Sequence, residues 1–221
     1  MSRELEGSVT GMAYRNAYLK GLLIAVTVGA SFGLPACSDE DASTGSQAVG
    51  SLEMRLADLS TTTPGLGALA SGSELHVAGV EAITVIFSGV EVHRSANAGN
   101  NDAGWVEVLD RSLPVAQRTF NLLEVANGNF EVLGLTTLAA GTYQQVRIVI
   151  EDATITINNV PLPLSISGGS RTGLKLNHPF TVVEGQPTIL TLDFDAEHSV
   201  KEEPPGSGNF SLKPVIGVVQ S

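Results

Sequence analysis

Leu135 to Ile157 reads LTTLAAGTYQQVRIVIEDATITI, a small-residue corner followed by the longest β-rich run in the chain. Ala139, Ala140 and Gly141 make the corner. Beyond it Val146, Ile148 and Ile150 fall on one face at the two-residue period of an extended strand. This run is expected to be a central strand against which further strands pack. Its alternation breaks at Glu151-Asp152, where a bulge or a bend is expected.

Upstream, Leu52, Met54 and Leu56 alternate with Glu53 and Arg55 as a half-buried opening strand, which stops at the turn-rich Ser60 to Gly65. Ile83, Val85 and Phe87 share one parity, whereas Val90 and Val92 share the other. A bulge at Gly89 accounts for the switch, because one extra residue turns every later side chain to the opposite face; two separate strands are the alternative. Asn97 to Gly104, NAGNNDAG, is a turn cluster that returns the chain into Trp105–Leu109 as a hairpin. Phe120 to Val125 is a short apolar run before Asn127-Gly128, a hairpin turn signal.

Downstream, Asn158-Asn159 and the Pro161/Pro163 pair predict an edge position, since proline cannot donate to a ladder. Leu174 and Leu176, then Phe180 and Val182, predict two short strands around a His178-Pro179 turn. Leu190, Leu192 and Phe194 form an apolar face opposite Thr191, Asp193 and Asp195, and a final strand is expected from Phe210 to Val219. No stretch shows a helical period of useful length. Nine or ten short strands at near-regular spacing predict an all-β fold, a single antiparallel β-sandwich over residues 50–221.

Composition sets the outer limits. The chain has 221 residues, with 12 Lys plus Arg against 23 Asp plus Glu and a net charge of −11. The acids are spread along it, so no basic stripe exists to neutralise phosphates, and nucleic acid is excluded as an expected partner. The same charge repels an anionic membrane, so attachment would need an apolar anchor.

The N-terminus supplies a candidate. Sixteen uncharged residues, Gly21 to Ala36, follow Lys20, short of the roughly 20 that an apolar helix needs to cross a bilayer. They read as the apolar core of a signal peptide over residues 1–36. Leu34-Pro35-Ala36-Cys37 resembles a bacterial lipobox, with cleavage between Ala36 and Cys37 and lipid on Cys37, the only cysteine. Glu4 and Glu6 are foreign to a basic leader, whereas a start at Met12 gives MAYRNAYLK with Arg15 and Lys20 and no acid. Residues 37–49 are expected to be the lipidated cysteine and a flexible tether, because SDEDASTGSQAVG from Ser38 to Gly50 has almost nothing to bury. A random coil of that length spans about 20 Å. By analogy with other bacterial lipoproteins, Ser38 after the cysteine points to the outer membrane of a bacterial cell envelope.

With the strands laid out, the chain resembles the bacterial family called domain of unknown function 4382. The residues that carry the likeness are GSLEMRLAD, IFSGVEVHR, FNLLEV, LGLTTLAAGTYQQVRIVI, TGLKL, LTLDFDAEHSV and FSLKPVI, spread over residues 50 to 219. Asn121, where an aspartate is expected, and SISGGS, where a Pro-Ser-Gly turn is more usual, depart from the pattern. The resemblance implies a transthyretin-like or immunoglobulin-like sandwich on an envelope lipoprotein and implies no activity.

Among candidate sites, Asp193, Asp195 and Glu197 would project from one face of an extended strand about 7 Å apart, close enough to converge on a hard cation such as calcium. The competing reading is an outward polar face whose acids meet basic residues of a neighbouring strand. Gly168 to Gly173, GGSRTG, lacks the Gly-Lys-Ser/Thr ending and following helix of a phosphate loop and reads as a flexible hairpin. His76, His93, His178 and His198 have no zinc spacing, and no G-x-S-x-G elbow is present. Trp105 could stack on a sugar or pack in a hairpin core. The expected function is therefore a lipid-anchored, non-enzymatic binding or structural module whose ligand is a carbohydrate or another envelope protein. The alternatives are a metal-dependent hydrolase using Asp193, Asp195 and Glu197, and a subunit that assembles through an edge strand near Leu162.

Overall fold

The structure is a computed structural model that describes residues 47–59 and 78–221. Cys37, Ala36, Met12, His76, the signal peptide and most of the tether lie outside the described residues. Gly45–Ser221 forms one compact unit.

Its order is β1 (Val49–Ala57), β2 (Val80–His93), β3 (Val106–Leu109), β4 (Thr119–Asn121), β5 (Glu131–Ala139), β6 (Gly141–Ile157), β7 (Val160–Ile166), α1 (Gly168–Thr172), β8 (Leu174–Val182), β9 (Pro187–Asp195), α2 (Ala196–Ser199), β10 (Val200–Glu202), β11 (Phe210–Leu212) and β12 (Val215–Gln220). One sheet has four strands in the order β12-β9-β1-β5; the other has eight, β10-β11-β7-β6-β2-β3, with β4 pairing β2 and β8 pairing β6. The expected all-β sandwich is what forms. It is not purely antiparallel: β1 runs parallel to β9 and β11 parallel to β7.

The core lies between the sheets and takes the inward parity of each strand. Leu52, Met54 and Leu56 from β1 and Leu190, Leu192 and Phe194 from β9 are fully buried against Ile83, Val85 and Phe87 of β2 and Val146 and Ile148 of β6. β6 is the central strand that its alternation predicts, 17 residues long, flanked by β2 along most of its length and by β8 and then β7 on the other side. Leu135 to Ala139 is more than a corner, because it belongs to β5 in the opposite sheet. The chain changes sheets at Ala140, whose N–H donates to Ala48 O at 2.7 Å. That bond and the pairing of Val49 with Ala139 draw Ala48 and Val49 into the sandwich from what the sequence assigns to the tether.

Both parity breaks are bulges. Glu151 is the extra residue in β6 between the pairs Ile86–Asp152 and Phe87–Ile150, and Ser88 is the extra residue in β2 between Phe87–Ile150 and Gly89–Val149. The two insertions compensate, and the ladder regains its register at Val90–Ile148. Arg118, almost fully buried, fills the disturbed segment by donating from Nη1 to Phe87 O at 2.6 Å and to Glu151 Oε2 at 2.8 Å.

Several local expectations are corrected. Asn127-Gly128 does adopt positive φ, but β4 before it pairs β2 and β5 after it pairs β1, so the turn crosses between sheets and closes no hairpin. His178-Pro179 is a bulge inside the single strand β8, where three residue steps from Asn177 to Phe180 oppose two from Gln145 to Tyr143. Phe210 to Val219 is two strands in different sheets, parted at Lys213-Pro214. GGSRT forms the one-turn α1 rather than a hairpin. Pro161 and Pro163 face no partner beyond β6, as proline requires, but Leu164 to Ile166 pair with β11, so the expected edge near Leu162 is covered in its second half.

Candidate functional site

The outward parity of the large sheet carries an unusual set of residues. Register places Glu107, Glu91, Arg147 and Lys175 in one transverse row across β3, β2, β6 and β8, and His93, Gln145 and Asn177 in the next. Glu91, Gln145 and Arg147 are nine-tenths or more buried although they face away from the core. What covers them is the β2–β3 connection.

Side chains from the sheet hold that loop by its backbone carbonyls. Gln145 Nε2 donates to Ala96 O at 2.8 Å, Lys175 Nζ to Ala98 O at 2.6 Å and Arg147 Nη1 to Asn100 O at 2.6 Å. Trp105 Nε1 donates to Gly99 O at 2.8 Å, and Asp102 Oδ2 accepts from Gly99 N at 2.7 Å. The bonds from Lys175 and Arg147 are charge-assisted and stronger than neutral pairs, and with Gln145 they fix the loop at every second residue. Trp105 lies half-buried on this outer face and not in the core: the Arg147 guanidinium sits 4.2 Å from its ring centroid and the His93 ring 5.0 Å away. Gly104 leaves room for that stacking, since a Cβ there would come within 2.4 Å of His93 Nε2. The cation–π contact adds about 1–2 kcal/mol where it is partly desolvated.

Electrostatics beneath the loop are balanced. Glu91 accepts from Arg147 Nε at 2.6 Å and from Arg111 Nη2 at 2.6 Å, and Arg111 Nε also donates to Glu107 at 2.6 Å. The bond that Arg111 donates to Glu107, reinforced by the charge of Glu91 and opposed by burial, raises the Arg111 guanidinium above its ordinary value. Asn97, Asn100 and Asn101 stand exposed on the same loop that carries Trp105. The arrangement offers an aromatic ring fixed from its edge and one face, with Glu91 and Glu107 paired to Arg147 and Arg111 beneath it.

The acidic strand behaves differently from its sequence expectation. Asp193 and Asp195 belong to β9, but Glu197 lies on α2, so the three carboxylates do not share one extended face. Asp193 Oδ1 accepts from Leu59 N at 2.8 Å. Asp195 caps α2 through His198 N at 3.0 Å and meets His198 Nδ1 at 2.7 Å. Asp58, fully buried, accepts from Ala196 N at 3.3 Å. Among the described residues no three His, Cys, Asp or Glu side chains come together in a way that could hold a metal ion. Asn121 Oδ1 accepts from Ile83 N and Leu123 N, each at 3.2 Å. The outer-face site escaped sequence reasoning because its members come from four strands; the available signal was Gln145 and Arg147 on the same parity inside an apolar run.

The model of a family described as domain of unknown function (DUF4382) matches residues 68–214, about two thirds of the chain. GSLEMRLAD, which contains most of β1, lies outside that match. No curated protein matches the chain. Among solved structures, a leucine-rich repeat protein from Bacteroides thetaiotaomicron VPI-5482 aligns at 14% identity over 65% of this chain and 13% of that one, with a TM-score of 0.24. The chain thus spans a small part of that protein, and so low a TM-score carries no argument about fold or function.

Proposed function

From the premise that the chain belongs to the DUF4382 family, whose description assigns no activity, we propose that it is a non-enzymatic binding module, anchored to a bacterial envelope through lipid on Cys37, that engages a neutral polysaccharide with the clamped loop Ser95–Trp105. The observation that carries this reading is the fixed indole. Trp105 is held from its edge by Gly99 O and on its face by Arg147, and Asn97, Asn100 and Asn101 lie exposed on the same loop. A ring immobilised before binding loses little entropy on stacking against the apolar face of a sugar, and neighbouring amides supply hydrogen bonds to hydroxyls. The net charge of −11 favours a neutral glycan over an anionic one.

Titration calorimetry of residues 45–221 with a panel of neutral polysaccharides tests it. Binding is expected, and Asn101→Ala, which leaves the Trp105 contacts in place, is expected to weaken it about tenfold, a loss of about 1.4 kcal/mol. Absence of binding across the panel, or affinity unchanged by both Asn101→Ala and Trp105→Ala, would sink the reading. The anchor is tested separately: palmitate labelling and membrane fractionation are expected to be lost in Cys37→Ser.

A metal-dependent hydrolase built on Asp193, Asp195 and Glu197 has less support, because Asp193 and Asp195 already accept backbone N–H groups and Glu197 leaves their face. A rise in melting temperature with calcium, abolished by Asp193→Asn, would revive it.

A further inference from the structure

β12 is an edge strand with no protective device in its sequence. Among the described residues its one ladder partner is β9, with Val215 N also donating to Ser199 Oγ at 2.8 Å, and its residues, VIGVVQ, carry no charge and no proline. Other borders of the sandwich are guarded. β10 is three residues long and carries Lys201 and Glu202. β8 is interrupted by its His178-Pro179 bulge and bears Lys175. β5 runs beside β3 so closely that a Cβ on Gly134 would fall 2.1 Å from Val108 O. Short length, charge, bulges and coverage are the ordinary ways in which natural sheets prevent edge pairing.

The orientation of the open hydrogen-bonding groups follows from one bond. Ser221 N donates to Ile189 O at 3.2 Å, and Val219, Gly217 and Val215 oppose Thr191, Asp193 and Asp195. Bonded and non-bonded pairs alternate in an antiparallel ladder, so the N–H and C=O groups of Ile216, Val218 and Gln220 point away from β9. The side chains of Ile216 and Val218 face the core yet remain only partly buried, since the sheet ends there.

We infer that β12 pairs antiparallel with β12 of a second copy of this chain, about a twofold axis at Val218, so that the two four-stranded sheets join edge to edge. That register sets Ile216 against Gln220 and Val218 against itself, and every outward donor and acceptor meets an outward partner. The axis keeps the inner faces on one side, so Ile216 and Val218 of each copy extend the core of the other. Charge selects this occupant. In a chain of net charge −11 two copies repel where acidic faces meet, and Val215–Gln220 is a self-complementary surface without charge. A pairing of six-residue strands is smaller than a standard stable interface, so the dimer is a weak one, promoted wherever copies are concentrated.

Sedimentation velocity of residues 45–221 between about 1 µM and about 500 µM should show monomer passing to dimer, with Kd on the order of 100 µM. Val218→Pro and Gln220→Pro each remove an outward N–H without removing a bond to β9, and both are expected to remain monomeric over that range. Amide exchange read residue by residue should show Ile216, Val218 and Gln220 gaining protection as concentration rises. A monomer at every concentration overturns the proposal. So does a dimer in which those three amides stay unprotected, since it would use another surface.

Discussion

At the scale of single residues, the molecule shows where space and charge are decided. Gly134 is one such place. Its Cα passes Val108 O at the corner where β5 meets β3, and a methyl group there would overlap the carbonyl. Gly134→Ala is therefore expected to lower stability by about 1–3 kcal/mol, read as a shift in urea midpoint at unchanged slope. Arg147 is another: its side chain is buried under the loop and bonded to Glu91, Asn100 O and the Trp105 face. Arg147→Met leaves a buried carboxylate with Arg111 alone and is expected to cost about 3 kcal/mol, with loss of the Trp105 near-ultraviolet circular dichroism signal. Glu203 is a surface case. The hydrogen bond from Lys213 Nζ, together with that ion's charge, holds its carboxyl below the usual 4.5. A depressed folded value stabilises above the unfolded value and is lost as pH falls through the folded one. Lys213→Met should return the Glu203 carboxyl toward 4.5, which carbon-detected NMR titration would read directly.

At the scale of elements, the paired bulges make a sharper prediction. Because the apolar parity switches at each extra residue, deleting Ser88 alone keeps Val90 and Val92 inward and the Val90–Ile148 pairing intact, and deleting Glu151 alone keeps Ala153 and Ile155 inward. Each single deletion removes one bulge and leaves the other, so each is expected to lower the melting temperature only modestly, the Glu151 deletion more because Arg118 loses that partner. Inserting one residue after Val90, where no parity switch absorbs it, turns Glu91 into the core and is expected to lower the melting temperature by more than about ten degrees. Thermal melts of the three variants check this. The same bulges show what sequence could disclose. Parity is a local property, so the switch between Phe87 and Val90 and the break at Glu151 were both legible. Which sheet a strand joins is not local: the Asn127-Gly128 turn is correctly placed as a turn, yet only tertiary packing decides that its two flanking strands part company. His178-Pro179 misled because a proline that interrupts a ladder looks the same in sequence whether the chain turns or bulges. Trp105 stands out in sequence as a residue that could stack on a sugar, but its surroundings do not, as Glu91, Arg147 and Lys175 become neighbours only through the registers of β2, β6 and β8.

At the scale of the whole molecule, two sheets share a single chain that changes side repeatedly, at Ala140-Gly141, through α2 and at Lys213-Pro214. The small sheet is assembled from the first described strand, one from the middle and two from the last third. β1 lies between β5 and β9, and its parallel partner begins opposite Ser51 at Pro187. Synthesis proceeds from the N-terminus at roughly 5–20 residues per second, so β1 waits on the order of ten seconds before β9 exists. Through that interval the second edge of β1 has no strand to bond, although β5, β2 and β6 are already made. The earliest strand is thus among the last to be completed, and the nascent chain carries an unpaired strand edge until β9 is made, a standing target for any chaperone that reads open backbone.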